Sequence, residues 1–142
     1  MPASNTSDLP PEISELDIKN LLVLDDDPEL ADTLKALLES HNFVVTTVND
    51  GLAGLREVMD IDFDVIICDM LMPGMPGDMF YLAAKTVKPA MAGRFVFITG
   101  HRDNPKVDDF LKSIDALVIF KPVLIDELAE MISLVLKKTA LN

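Results

Sequence analysis

Five short apolar runs rich in β-branched and aromatic residues punctuate the chain: LLVL at 21–24, FVVTTV at 43–48, DVIIC at 64–68, RFVFIT at 94–99 and ALVIF at 116–120. Each has strand length, and segments with helical spacing follow them. Several runs are too continuously apolar to have a wet face, so they belong in a parallel sheet covered by helices on both sides. This alternation excludes all-β and all-α architectures.

Leu30, Leu34, Leu37 and Leu38 share one helical face, as do Leu52, Leu55 and Met59. The same holds for Val107, Phe110, Leu111 and Ile114, and for Leu124, Leu128, Met131, Ile132 and Val135. Residues 78–87 form a weaker helical segment. Asp27 before Pro28 and Asn104 before Pro105 each offer a capping side chain followed by a proline in the first turn, where its missing N–H is harmless. Right-handed crossovers leave few topologies. The expected fold is α/β, a three-layer (βα)5 flavodoxin-like fold with a parallel five-stranded sheet in order 2-1-3-4-5.

At 142 residues the chain suits one domain. Residues 1–19 carry Pro2, Pro10 and Pro11 among polar and acidic residues and read as a flexible N-terminal arm or linker; 20–138 form the domain and 139–142 a C-terminal tail. Twenty-four acidic against 12 basic residues give a net charge of −12, the wrong sign for holding nucleic acid or anionic lipid. The longest apolar runs fall far short of the roughly 20 residues that cross a bilayer. A single cysteine, Cys68, and no leader-like start point to the cytoplasm.

In such a sheet, ligands bind at the C-terminal strand ends. There stand Asp25, Asp26 and Asp27 after strand one, Asp69 after strand three, Thr99 after strand four and Lys121 after strand five. Carboxylates within about 5 Å of each other repel by roughly 3 kcal/mol per pair at an effective dielectric near 20. That is a large fraction of a typical fold stability, so Asp25, Asp26 and Asp69 call for a cation. Oxygen-only ligands beside open solvent suit Mg²⁺. Beside it, Asp69 could attack phosphorus as nucleophile while Thr99 and Lys121 bind the phosphoryl oxygens, with Gly100 leaving room and Pro122 turning the chain out.

These motifs, LLVLDDDPEL, VIICDMLMPGMPG, FITG and FKP, resemble bacterial two-component receiver domains over about residues 20–138. The resemblance implies Asp69 as the phosphorylated aspartate and Asp25, Asp26, Asp69 and the backbone carbonyl of Leu71 as Mg²⁺ ligands. It implies Thr99 as the switch hydroxyl and Lys121 as the phosphate-contacting lysine. The donor is then a histidine kinase or phosphotransfer protein, and output runs through a downstream protein partner, with the chain a monomer or weak dimer. Such a domain assists its own phosphotransfer and dephosphorylation and is not an enzyme. The family's aromatic three positions before the lysine is Val118 here, although Phe120 lies on the same strand face. FLKSIDALVIFKP is similar to receivers of hybrid sensor kinases.

Other readings stand beside this one. Asp25, Asp27, Thr99 and Lys121 imitate the set of a haloacid dehalogenase-type phosphatase, with Asp25 as nucleophile. A pseudo-receiver that binds partners without phosphorylation is the third. Asp27 is fully explained as a helix cap, Cys68 as a buried thiol on the other side of its strand, and Met70, Met72, Met75 and Met79 as packing around a Pro-Gly loop. His101 reads as solvent-facing, with modulation of the attacking water as its alternative. Leu71 offers that water no hydrogen bond, so spontaneous dephosphorylation is expected to be slow.

Overall fold

The structure, a computed structural model, describes residues 18–100 and 104–140. Most of the expected arm, His101 and the end of the expected tail lie outside them. Five strands, β1 (Asn20–Leu24), β2 (Val44–Val48), β3 (Val65–Asp69), β4 (Phe95–Thr99) and β5 (Leu117–Phe120), form one sheet in the order 2-1-3-4-5. Every neighbouring pair is parallel. Each strand begins and ends within one residue of its apolar run; β3 and β4 are buried at every position and β1 at all but its first, whereas the edge strands β2 and β5 are only partly covered.

The helices are α1 (Pro28–Glu39), α2 (Gly51–Asp60), α3 (Gly77–Val87), α4 (Pro105–Ser113) and α5 (Ile125–Ala140), with a 3₁₀ turn at Pro89–Arg94. Asp27 Oδ1 accepts from the N–H groups of Glu29 and Leu30, and Asn104 Oδ1 from those of Lys106 and Val107, so both expected caps are formed. Asp50 caps α2 in the same way through the Ala53 N–H. Period-two alternation along the strands divides the core. Leu22, Leu24, Ile66, Cys68, Phe95 and Phe97 face α2, α3 and α4. Leu21, Val23, Val65, Ile67, Val96, Ile98 and Ile119 face α1 and α5.

One helix is rotated from its expected face. Leu52 and Met59 of α2 are exposed, and the buried residues are Gly51, Gly54 and Val58. The shift is one residue, or about 100° around the helix axis. Its cause is contact distance: a Cβ at Gly51 would sit 2.6 Å from Met75 Sδ, and one at Gly54 would sit 2.9 Å from both Leu24 Cδ1 and Phe80 Cε1. Two glycines bring the α2 backbone against its neighbours, so the large residues flank the interface. Leu124 is also exposed, because it precedes α5 and its carbonyl accepts the first turn's bond from the Leu128 N–H. Leu37 sits at the margin of the α1 stripe, where Ala31, Leu34 and Leu38 are buried.

Candidate functional site

Where β1 ends, the backbone of Asp25 is fixed on both sides: its N–H donates to the Val48 carbonyl at 3.2 Å and its carbonyl accepts from Asn49 Nδ2 at 3.0 Å. The side chain is thereby held below the surface, at 1% exposure. Asp25 Oδ1 accepts from the Asp27 N–H at 2.9 Å. Asp25 Oδ2 is buried and, among the described residues, receives no hydrogen bond. Asp26, next in sequence, points to solvent.

Asp69 ends β3 at 4% exposure. Its Oδ1 accepts from the Leu71 N–H at 3.1 Å and its Oδ2 from Lys121 Nζ at 3.2 Å. Lys121 Nζ also lies 3.9 Å from Asp25 Oδ2. One carboxylate oxygen from each of Asp25, Asp26 and Asp69 falls within 4.8 Å of the others. Thr99 ends β4 beside them at 1% exposure, and its carbonyl accepts from the Lys121 N–H at 2.8 Å. The Lys121–Pro122 peptide is cis. Thus residues from four strand ends, far apart in sequence, meet at one edge of the sheet.

The loop after β3 is built to hold Asp69 in place. The Met70 N–H donates to the Ile98 carbonyl and the Gly77 N–H to the Met70 carbonyl, both at 2.9 Å. A Cβ on Gly77 would stand 2.7 Å from the Asp69 carbonyl oxygen and 2.9 Å from Met70 Cα, so the first turn of α3 can approach only as glycine. Gly74 takes φ 81° in the same loop. Met70 and Met72 are buried and Met75 packs on the core, whereas Met79 is exposed and has no part in that packing. Cys68 is fully buried and its Sγ donates to the Asp69 carbonyl. Burial first, and then the charge of Asp69, push its thiol well above the ordinary cysteine range.

The charges are unequal in their comfort. Burial lifts the Asp25 carboxyl to about 6, helped by the neighbouring charge of Asp69 and opposed by the Asp27 N–H. Burial alone would depress the Lys121 ammonium, but the charge and hydrogen bond of Asp69 outweigh it, with Asp25 adding to them, and the net shift is upward. Two buried carboxylates therefore share one ammonium, and one carboxylate oxygen is left without a hydrogen bond. An oxygen-only donor set with an orphaned buried oxygen and an exposed third carboxylate fits a hard divalent cation with open positions.

Sequence reasoning placed Asp25, Asp26, Asp69, Thr99 and Lys121 at strand ends, and all five are found there. Asp27 is turned into its cap, away from this role. Leu71 adjoins Asp69 through its N–H, with its side chain 42% exposed. Asn49 and Gly77 were not anticipated. Their signals were the Asn-Asp-Gly turn after strand two and the second Pro-Gly of MPGMPG.

A family model described as the response regulator receiver domain matches residues 21–133. The transcriptional regulatory protein ZraR of Klebsiella oxytoca is 30% identical over 123 residues, which are 87% of this chain and 27% of that protein. FixJ of Bradyrhizobium diazoefficiens, also a transcriptional regulatory protein, is 30% identical over 113 residues, 80% of this chain and 54% of its own. The chain thus spans from a quarter to a half of these relatives. A response regulator receiver domain from Clostridium thermocellum superposes with a TM-score of 0.77 at 28% identity, covering 87% of this chain and 98% of that one.

Proposed function

Because the chain belongs to the response regulator receiver domain family, we propose that it is a phosphoacceptor module in two-component signalling, taking a phosphoryl group from a histidine kinase or phosphotransfer protein onto Asp69. The observation that carries this reading is the convergence of Asp69 with Asp25, Asp26 and Lys121, leaving a buried carboxylate oxygen unsatisfied. We take 20–138 as the functional unit, 1–19 as arm and 139–142 as tail.

Asp25, Asp26, Asp69 and the Leu71 carbonyl would hold Mg²⁺, which when bound supplies charge neutralisation between carboxylates and phosphoryl oxygens. A carboxylate oxygen of Asp69 attacks phosphorus; the O–P bond forms as the P–N bond to the donor imidazole breaks, and that nitrogen takes a proton. Lys121, already hydrogen-bonded to Asp69, shifts its donor bonds to a phosphoryl oxygen. The Thr99 hydroxyl binds another. Burial at 4% keeps Asp69 short of water while the exposed edge admits a donor.

Output then passes through protein contacts, without direct binding to nucleic acid, as the net charge of −12 favours. The role is signalling and not enzymatic turnover, and the location is cytoplasmic, in keeping with the single buried thiol. Among the described residues no helix is long and apolar enough to cross a membrane.

The haloacid dehalogenase reading needs Asp27 as second acid, and that side chain is committed to the α1 N-terminus. Treatment with acetyl phosphate and Mg²⁺, followed by peptide mapping, tests the choice. An acid-stable, base-labile phosphoryl group at Asp69, lost in Asp69→Asn, is expected; modification at Asp25 would overturn it.

A further inference from the structure

The three carboxylates at the acidic edge are held to different degrees. Asp69 is oriented by the Leu71 N–H and the Lys121 ammonium, and Asp25 by the Asp27 N–H. Asp26 points to solvent, so the direction of its carboxylate is set through its backbone. The peptide group that joins Asp25 to Asp26 is planar, and its carbonyl oxygen accepts from Asn49 Nδ2 at 3.0 Å. A carbonyl oxygen only accepts, so the Asn49 amide must present its NH₂ there. One exposed side chain, 24 residues away in sequence, thus fixes the rotation of the unit that carries two of the three acidic groups.

We propose that Asn49 is a positioning residue for the divalent cation: it holds the Asp25–Asp26 peptide so that both carboxylates turn toward Asp69, and its effect falls on cation affinity more than on the fold. This rests on the phosphoacceptor reading above. Two observations separate Asn49 from an ordinary turn residue. The first is that its bond is redundant for folding. β1 and β2 already pair from Asn20 with Val44 to Leu24 with Val48, and the Asp25 N–H extends that ladder to the Val48 carbonyl. One more exposed side-chain bond adds little to it. The helix cap belongs to Asp50, whose Oδ1 accepts from the Ala53 N–H. The second observation is that the same turn reaches the other side of the site. Gly51 starts α2 so close to the loop after Asp69 that a Cβ there would stand 2.6 Å from Met75 Sδ and 2.8 Å from Met75 Cβ. The turn from Asn49 to Gly51 therefore touches both acidic segments and sets their separation.

A cation that draws on Asp25, Asp26 and Asp69 together needs their oxygens already gathered, and one from each lies within 4.8 Å of the others. Without the Asn49 bond the 25–26 peptide is free to rotate, and the solvated Asp26 carboxylate leaves the cluster. Each binding event must then restore that geometry at the expense of affinity, as happens when a group that orients a metal ligand is lost. The coupling is reciprocal, so a bound cation strengthens the Asn49 bond by the same factor.

Calorimetric titration of the full chain with Mg²⁺, paired with thermal denaturation in metal-free buffer, tests this. Asn49→Ala and the similarly sized Asn49→Leu both lack the donor. Asp64→Ala is the comparison: the Asp64 carboxylate accepts from the Asn20 N–H at 2.8 Å at the opposite end of β1, so its removal loosens the same strand away from the site. Both Asn49 variants are expected to bind Mg²⁺ about three- to tenfold more weakly than the parent. Their metal-free melting temperature should fall no further than that of Asp64→Ala, which should bind Mg²⁺ as the parent does. Asn49 variants whose affinity stays within about twofold of the parent, or an Asp64→Ala chain that loses as much affinity as they do, would overturn the positioning role and leave the phosphoacceptor reading standing. A parent chain that binds no Mg²⁺ would overturn both.

Discussion

The Lys121 ammonium donates to Asp69 Oδ2 at 3.2 Å, joining positions 52 residues apart and standing in for part of the positive charge that the acidic edge requires. Lys121→Gln should therefore lower the melting temperature in metal-free buffer, where Asp25 and Asp69 lose their shared counter-charge. Saturating Mg²⁺ should shrink that deficit, and the variant should bind Mg²⁺ severalfold more tightly because a repelling charge is gone. Thermal denaturation with and without Mg²⁺ checks this. An equal deficit in both conditions would mean that the ammonium is not the counter-charge.

Asp25 carries a pH signature with a definite sign. Its folded carboxyl titrates near 6 against an ordinary 3.8, so between these values the folded chain binds a proton that the unfolded chain has lost. Stability from this group is greatest below the lower value and is lost as pH rises through the upper one. Two units correspond to roughly 3 kcal/mol at most. Without divalent cation, the melting temperature should rise as pH falls from 7 to 5. Asp25→Asn should raise it at pH 7 and flatten the profile, while weakening Mg²⁺ binding. A profile that keeps its slope in Asp25→Asn would place the titration elsewhere.

The sequence treats the three carboxylates as equivalent sources of repulsion, and the structure separates them. Asp69 is compensated by Lys121 and the Leu71 N–H, Asp26 is solvated, and Asp25 keeps one oxygen without a hydrogen bond. Charge relief should thus be larger for Asp25→Asn than for Asp69→Asn or Asp26→Asn. Ranking the three by metal-free denaturation decides it, and Asp26→Asn as the most stabilising would contradict the burial pattern.

Leu71 keeps its N–H on Asp69 Oδ1 whatever its side chain, so Leu71→Ala changes the cover over the site while leaving that bond. The phosphoryl half-life should shorten a fewfold as water gains access. Following the decay of phosphorylated chain in excess Mg²⁺ measures it. Equal half-lives for Leu, Ala and Asn at this position would remove the idea that Leu71 slows hydrolysis.

The site was legible because a parallel sheet confines its ligand edge to a few positions, and polar residues at those positions stand out against apolar strands. Strand ends needed no knowledge of packing. The α2 interface did need it: glycines carry no hydropathy signal, so a pattern of large apolar residues pointed to Leu52 and Met59 when close approach selected Gly51 and Gly54. Asn49 was hidden for a related reason, since it acts on a backbone carbonyl that any residue at position 25 would possess. Val118 pairs with Phe97 and packs beside the ring cluster of Tyr81, Phe97 and Phe110. Aromatic bulk is thus supplied on this face by β4, α3 and α4, which period counting along strand five could not reveal.

Gly54→Ala turns that lesson into a test of sign. In an exposed helix, replacing glycine by alanine stabilises by about 1 kcal/mol through backbone entropy. At position 54 the new methyl would stand 2.9 Å from Leu24 Cδ1 and 2.9 Å from Phe80 Cε1, both on fully buried side chains with little room to yield. Overpacking of this kind costs about 1 to 3 kcal/mol. The net expectation is a loss of stability, transmitted to β1 just before Asp25 and therefore accompanied by weaker Mg²⁺ binding. Gly93→Ala, where a Cβ meets nothing within 4 Å, provides the neutral comparison. Urea denaturation of both variants reads the difference, and a Gly54→Ala chain as stable as the parent would show that α2 can retreat from the sheet, taking the close-contact account of its rotated face with it.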